Sequence, residues 1–139
     1  MPQAAVHTAA AMLSEARGLL LRGWSLGAKA RDDAGSVVSA WSERASSWSL
    51  LGALLASWHH YHEDLNEDVV AHSTDARALG DATEALGEAT GTAGLDQWND
   101  APGRSLAEVV AAVDRALELL PRRALLPSSQ RPREHAQAS

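Results

Sequence analysis

The chain has 139 residues, 45% of them hydrophobic, with 12 Lys and Arg against 18 Asp and Glu, a net charge of −6 and no cysteine, the profile of one soluble globular domain. The missing thiols exclude a disulfide-stapled scaffold, a cysteine nucleophile and any cysteine-ligated metal, so a metal would have to use His and carboxylates. The longest apolar stretches, such as 50–58, fall far short of the roughly 20 residues that span a bilayer, and residues 1–11 lack a basic start followed by an apolar block, so a cytoplasmic protein without a membrane segment is expected.

Ala, Leu and Val supply nearly all the apolar side chains, beside five Trp, one Tyr and no Phe. Ala and Leu are strong helix formers, and the β-branched and aromatic residues that build strands are scarce. The expected fold is all-α: a compact single domain of four to five helices over 8–120, with a flexible N-terminus at 1–7 and a mostly disordered basic tail at 121–139.

A first helix is expected over 8–22, where Met12, Leu13, Ala16, Leu19 and Leu20 recur at helical spacing, with Gly23 as its stop. Residues 24–45 break that periodicity. Asp32, Asp33, Ala34 and Gly35 signal a turn, and the segment reads as a loop or a short hairpin. A second helix starting near Ser46 or Ser47 carries Trp48, Leu51, Leu55, Trp58 and His62 on one stripe and Leu50 and Leu54 on another, so it is apolar all round and belongs in the centre.

Asn66, followed by acids, resembles an N-cap for a third helix with Val69, His72, Ala76 and Leu79 facing inward. The second and third helices could equally run on as one. Gly80 suggests a break, and Asp81 with Glu84 a second short helix to about Glu88, before Gly87, Gly91 and Gly94 dissolve the pattern. The clearest element is a helix opened by a Ser105–Glu108 capping box, with Leu106, Val109, Val110, Val113, Leu117 and Leu120 in a stripe and Pro121 as its end.

Charge is unevenly spread. Residues 63–100 hold ten acids and one base, whereas 1–62 and 101–139 are slightly basic. An acidic block repels phosphates, so the core is not expected to bind nucleic acid; it would attract a basic protein partner, or simply aid solubility.

Chemistry could sit in two places. His59, His62, Glu63 and His72 would approach one another if the second and third helices formed a hairpin, giving a zinc-like or iron-like donor set. The spacing matches neither HExxH nor a Glu-x-x-His pair, and the plain reading is histidines that hydrogen-bond a polar end of the core. The second place is a loop set, Arg31, Asp32, Trp98, Asn99, Asp100 and Arg104, which could bind a ligand. Structurally, Trp98 would plug the core end, Asn99 and Asp100 would satisfy loop backbone, and Arg104 would pair with Asp32 or Asp100.

Gly23-Trp24-Ser25-Leu26-Gly27 spells GxSxG, but a nucleophile elbow needs a strand before the serine and a helix after it, and here a helix precedes and a loop follows. No phosphate-cradling loop or dinucleotide fingerprint is present, so no nucleotide cofactor is implied.

Gly23-Trp24 with Gly27-Ala28 and Ala30-Arg31-Asp32, Trp48 with Leu51-Gly52-Ala53-Leu54, and Trp98-Asn99-Asp100-Ala101-Pro102-Gly103-Arg104 with Glu108-Val109 resemble an uncharacterised domain-of-unknown-function family of small actinobacterial and actinophage proteins. The likeness covers roughly 8–120, and Trp-Asn-Asp-x-x-Gly-Arg is its most specific block. It implies a shared small helical fold and an actinobacterial or phage origin, without a mechanism; a shared site would comprise Arg31, Asp32, Asn99, Asp100 and Arg104. Family members often carry Cys or Thr where Ser25 stands and Cys where Ser49 stands, which weakens Ser25 as a nucleophile.

The first functional expectation is therefore a small non-enzymatic interaction or regulatory protein, a phage or host modulator that binds a basic partner through the acidic 63–100 face. The alternative is a small enzyme or ligand binder working through the histidine set or the loop set.

Overall fold

The computed structural model describes the backbone of residues 2–63 and 69–124, with side chains described over 8–61 and 76–121. Five helices and a two-stranded sheet follow one another: α1 Pro2–Arg22, β1 Ala30–Arg31, β2 Ser47–Trp48, α2 Leu50–Glu63, α3 Val69–Thr90, α4 Leu95–Asn99 and α5 Leu106–Ala124.

Helix α1 buries Ala9, Met12, Leu13, Ala16, Leu19 and Leu20, the stripe its spacing predicts. It starts at Pro2 rather than Thr8, so the backbone of residues 2–7 is helical; proline suits a first turn because the N–H it lacks has no helical partner there. α1 packs against α2, α3 and α5, and α3 packs against α5. The expectation that the second helix is central is therefore corrected. The largely apolar α2 lies on the flank of α1, and part of its remaining surface is covered by irregular chain. There Trp41 stacks on His59, with ring centroids 4.6 Å apart and planes 12° from parallel.

α3 runs unbroken through Gly80 and Asp81 to Thr90, where two helices had been expected. Its core stripe is Ala78, Ala82, Ala85 and Leu86. Burying that continuous stripe against α1 and α5 outweighs the ~1 kcal/mol that one interior glycine costs. Ala76, expected to face inward, is exposed and Leu79 half-buried; Val69 and His72, expected beside them, have side chains outside the described residues, as does the whole of Asn66. Gly91, at φ +82, ends the helix, with its N–H and that of Thr92 both donating to the Gly87 carbonyl, at 2.8 and 3.1 Å.

The capping box of α5 is formed: Ser105 N–H donates to Glu108 Oε1 at 2.9 Å and Glu108 N–H to Ser105 Oγ at 3.1 Å. Its core face is Val109, Ala112, Val113, Ala116, Leu119 and Leu120, rotated slightly from the expected stripe, so that Leu106, Val110 and Leu117 lie at its margin. The helix continues through Pro121 to Ala124. Proline's φ is helical and it forfeits one backbone hydrogen bond, a cost that does not end this helix.

The irregular segment is a small antiparallel sheet, as a short hairpin reading allowed, with Ala30 opposite Trp48 and Arg31 opposite Ser47. Isolated bridges join Trp24 to Trp48 and Arg31 to Val37. Two glycines make these crossings possible. A Cβ on Gly23 would lie 2.2 Å from the Ser46 carbonyl oxygen, and one on Gly52 would lie 1.9 Å from that of Lys29.

Candidate functional site

Irregular backbone leaves N–H and C=O groups that no helix or sheet satisfies, and each must find a partner or stay hydrated. At this end of the molecule Asn99 supplies much of that partnership. Fully buried at 0% exposure, it stands at the last residue of α4, facing residues 24–25 and the start of α2. Its Oδ1 accepts from Trp24 Nε1 at 2.8 Å and from Leu50 N–H at 3.0 Å. Its Nδ2 donates to the Ser25 carbonyl at 3.1 Å and to Asp100 Oδ1 at 2.9 Å. All four bonds of one amide are thus used to join three parts of the chain, and one of them opens α2 by satisfying a first-turn N–H.

Asp100 extends the junction outward, because its Oδ1 also accepts from Gly27 N–H at 3.0 Å, pinning a residue whose φ of +78 suits glycine alone. Lys29 Nζ lies 2.9 Å from Asp96 Oδ2, tying the same loop to α4. Ser49 N–H donates to the Lys29 carbonyl at 3.0 Å, and Ser49 Oγ caps α2 by accepting from Gly52 N–H at 3.0 Å. The cap therefore stands two or three residues later than the expected Ser46 or Ser47. Gly27, Ala28, Lys29, Ser49, Asp96 and Asp100 enclose an open cleft of ≈ 110 Å³.

The structure divides the loop residues singled out from the sequence. Asn99 and Asp100 meet at the cleft. Arg31 bends over its own loop instead, donating to the Gly35 carbonyl at 2.9 Å and to the Leu26 carbonyl at 3.2 and 3.3 Å. Asp32 closes the turn after it, its Oδ1 accepting from Ala34 and Ser36 N–H at 3.0 and 2.9 Å. Arg104 does not pair with Asp32 or Asp100. It lies 3.9 Å over the Trp98 ring, donates to the Trp98 carbonyl at 2.8 Å and approaches Glu108 at 3.5 Å; the α5 cap places that carboxylate one turn away.

Ser25, the serine of GxSxG, is 8% exposed, and its hydroxyl has no hydrogen-bond partner, so no base is set to activate it. In the histidine set, the side chains of His62, Glu63 and His72 lie outside the described residues. His59 is stacked on Trp41, and His60 Nδ1 lies 2.8 Å from Glu15 Oε2. Among the described residues no group of three or more His, Asp or Glu is placed to hold a metal.

Lys29, Ser49 and Asp96 are cleft residues that sequence reasoning missed. Two signals for them exist in the sequence: Lys29 is the single lysine beside eleven arginines, and Ser49 directly precedes an apolar helical run. Asp96 has none, since the pairing with Lys29 spans 67 residues.

The fold and its loop junction define a small helical protein whose distinctive polar residues serve largely to hold irregular backbone. The chain belongs to a family of unknown function (DUF6197), whose model matches residues 4–119. No curated protein and no solved structure matches it. Among the described residues no helix is long and apolar enough to cross a membrane.

Proposed function

We propose that this protein is a non-enzymatic interaction protein of the cytoplasm that docks a basic protein partner on the outward face of α3. The observation that carries this reading is a charged stripe. Asp81, Glu84 and Glu88 follow one another at spacings of three and four, so they share one side of the helix, flanking the stripe of buried Ala78, Ala82, Ala85 and Leu86. Glu88 is exposed and Asp81 and Glu84 are partly exposed, and Arg77, one turn before Asp81, is the only base between 63 and 100. A row of like charge steers a complementary surface and repels nucleic-acid phosphates.

Such binding should weaken steeply with salt, because exposed charges are screened within about 10 Å at 0.1 M ionic strength. Affinity capture at low salt, run beside a Glu84→Lys/Glu88→Lys variant, tests it. A basic protein retained by the native chain, released by salt and lost in the variant supports the reading. A partner retained equally by both, or no basic partner at all, refutes it.

A further inference from the structure

We propose that the cleft between residues 27–29, the start of α2 and α4 binds a small zwitterion, a free α-amino acid with little or no side chain. Asp100 presents a carboxylate in a fixed direction: Oδ1 is held by Gly27 N–H at 3.0 Å and Asn99 Nδ2 at 2.9 Å, and among the described residues no cation is paired with it. Its second oxygen is available to a ligand ammonium. The other charge is supplied by Lys29, whose Nζ spends one donor on Asp96 and retains two.

Ser49 adds an independent observation. It lines the cleft, is only 2% exposed, and its hydroxyl oxygen accepts from Gly52 N–H, which leaves the hydroxyl hydrogen directed to no acceptor among the described residues. That hydroxyl can therefore donate to a ligand carboxylate while it keeps its bond to Gly52 N–H. Ser49 also caps the 14-residue α2, whose N-terminal end carries partial positive charge. Ligand carboxylate therefore belongs on Ser49 and Lys29, and ligand ammonium on Asp100. The cleft volume of ≈ 110 Å³ suits a molecule of a few heavy atoms. This site is separate from the α3 stripe, so either assignment can fail alone.

The test is an amide-resonance titration of the full-length chain with glycine, with acetate and methylamine as its two halves. Glycine should shift the amides of Gly27, Ser49 and Asp100 saturably, and each half should bind at least about tenfold more weakly, since each loses one set of charge-assisted hydrogen bonds. Asp100→Asn keeps an oxygen for Gly27 N–H and should weaken glycine binding by about tenfold or more. No saturable shift at tens of millimolar glycine overturns the proposal. So does binding of acetate or methylamine as tight as that of glycine, or unchanged affinity in the variant. If Asp100→Asn loses its native spectrum, Lys29→Gln is read in its place, and full-strength glycine binding there also overturns it.

Discussion

Where α1, α3 and α5 meet, alanine, leucine and valine side chains fill the space between regular helices, whereas at the end built from residues 23–49 and 95–105 one buried amide and a set of carbonyls hold irregular chain together. The difference follows from backbone hydrogen bonding. Helices satisfy their own N–H and C=O groups, so apolar packing is enough to join them. Loops do not, and side chains must complete the pairing, as Asn99 does for residues 25 and 50 and Asp32 does for residues 34 and 36. Polar residues that look like a catalytic set in such a segment are therefore first accounted for as structure.

The largest break in this comparison is expected at Asn99. Asn99→Ala strips partners from Trp24 Nε1, Leu50 N–H and the Ser25 carbonyl at once, and should cost about 3–5 kcal/mol, since each buried unsatisfied group costs about 1–3 kcal/mol and the losses are shared. Urea unfolding measures it; a loss under about 1 kcal/mol would show that the junction is not what holds this end.

Two glycine substitutions sharpen the contrast. Gly52→Ala places a methyl group 1.9 Å from the Lys29 carbonyl oxygen, a clash with backbone that cannot turn away, and should destabilise by about 3 kcal/mol. Gly80→Ala meets nothing within 4 Å on an exposed face of α3 and should stabilise by up to about 1 kcal/mol through helix propensity. The same chemical change with opposite signs, read by thermal unfolding, separates close-approach glycine from tolerated glycine.

The smallest effect lies in the helical body. The single tyrosine, Tyr61, is held above its usual phenol pKa of 10.0 by burial first and by the negative charge of Glu15 second. Unfolding would return it to the ordinary value. Its neutral form therefore favours the folded state, and this contribution is intact below pH 10 and lost as pH rises through the folded value. Alkaline absorbance titration should show ionisation later than in denatured protein, and Glu15→Gln should move it slightly back. A transition coincident with that of the denatured chain would show that Tyr61 is solvated.

Much of the fold was legible. The stripes of α1 and α5, the Ser105–Glu108 box and the Asp32 turn all depend on residues within a few positions of one another, and local spacing reports those directly. The continuity of α3 through Gly80 and of α5 through Pro121 was not, because packing elsewhere decided whether a helix-breaking residue was tolerated. The loop site was half legible: Asn99 and Asp100 stood out, but Lys29, Ser49 and Asp96 come together only through contacts across the whole chain.

Composition and periodicity by themselves determined that this protein is helical, cysteine-free and acidic through its middle third, since propensity, pattern and charge are properties of the chain alone. Tertiary structure alone decided that α1 rather than α2 takes the centre and that one asparagine joins three distant segments. Those outcomes depend on which surfaces meet and which polar groups are left without water, and neither is set by neighbours in sequence.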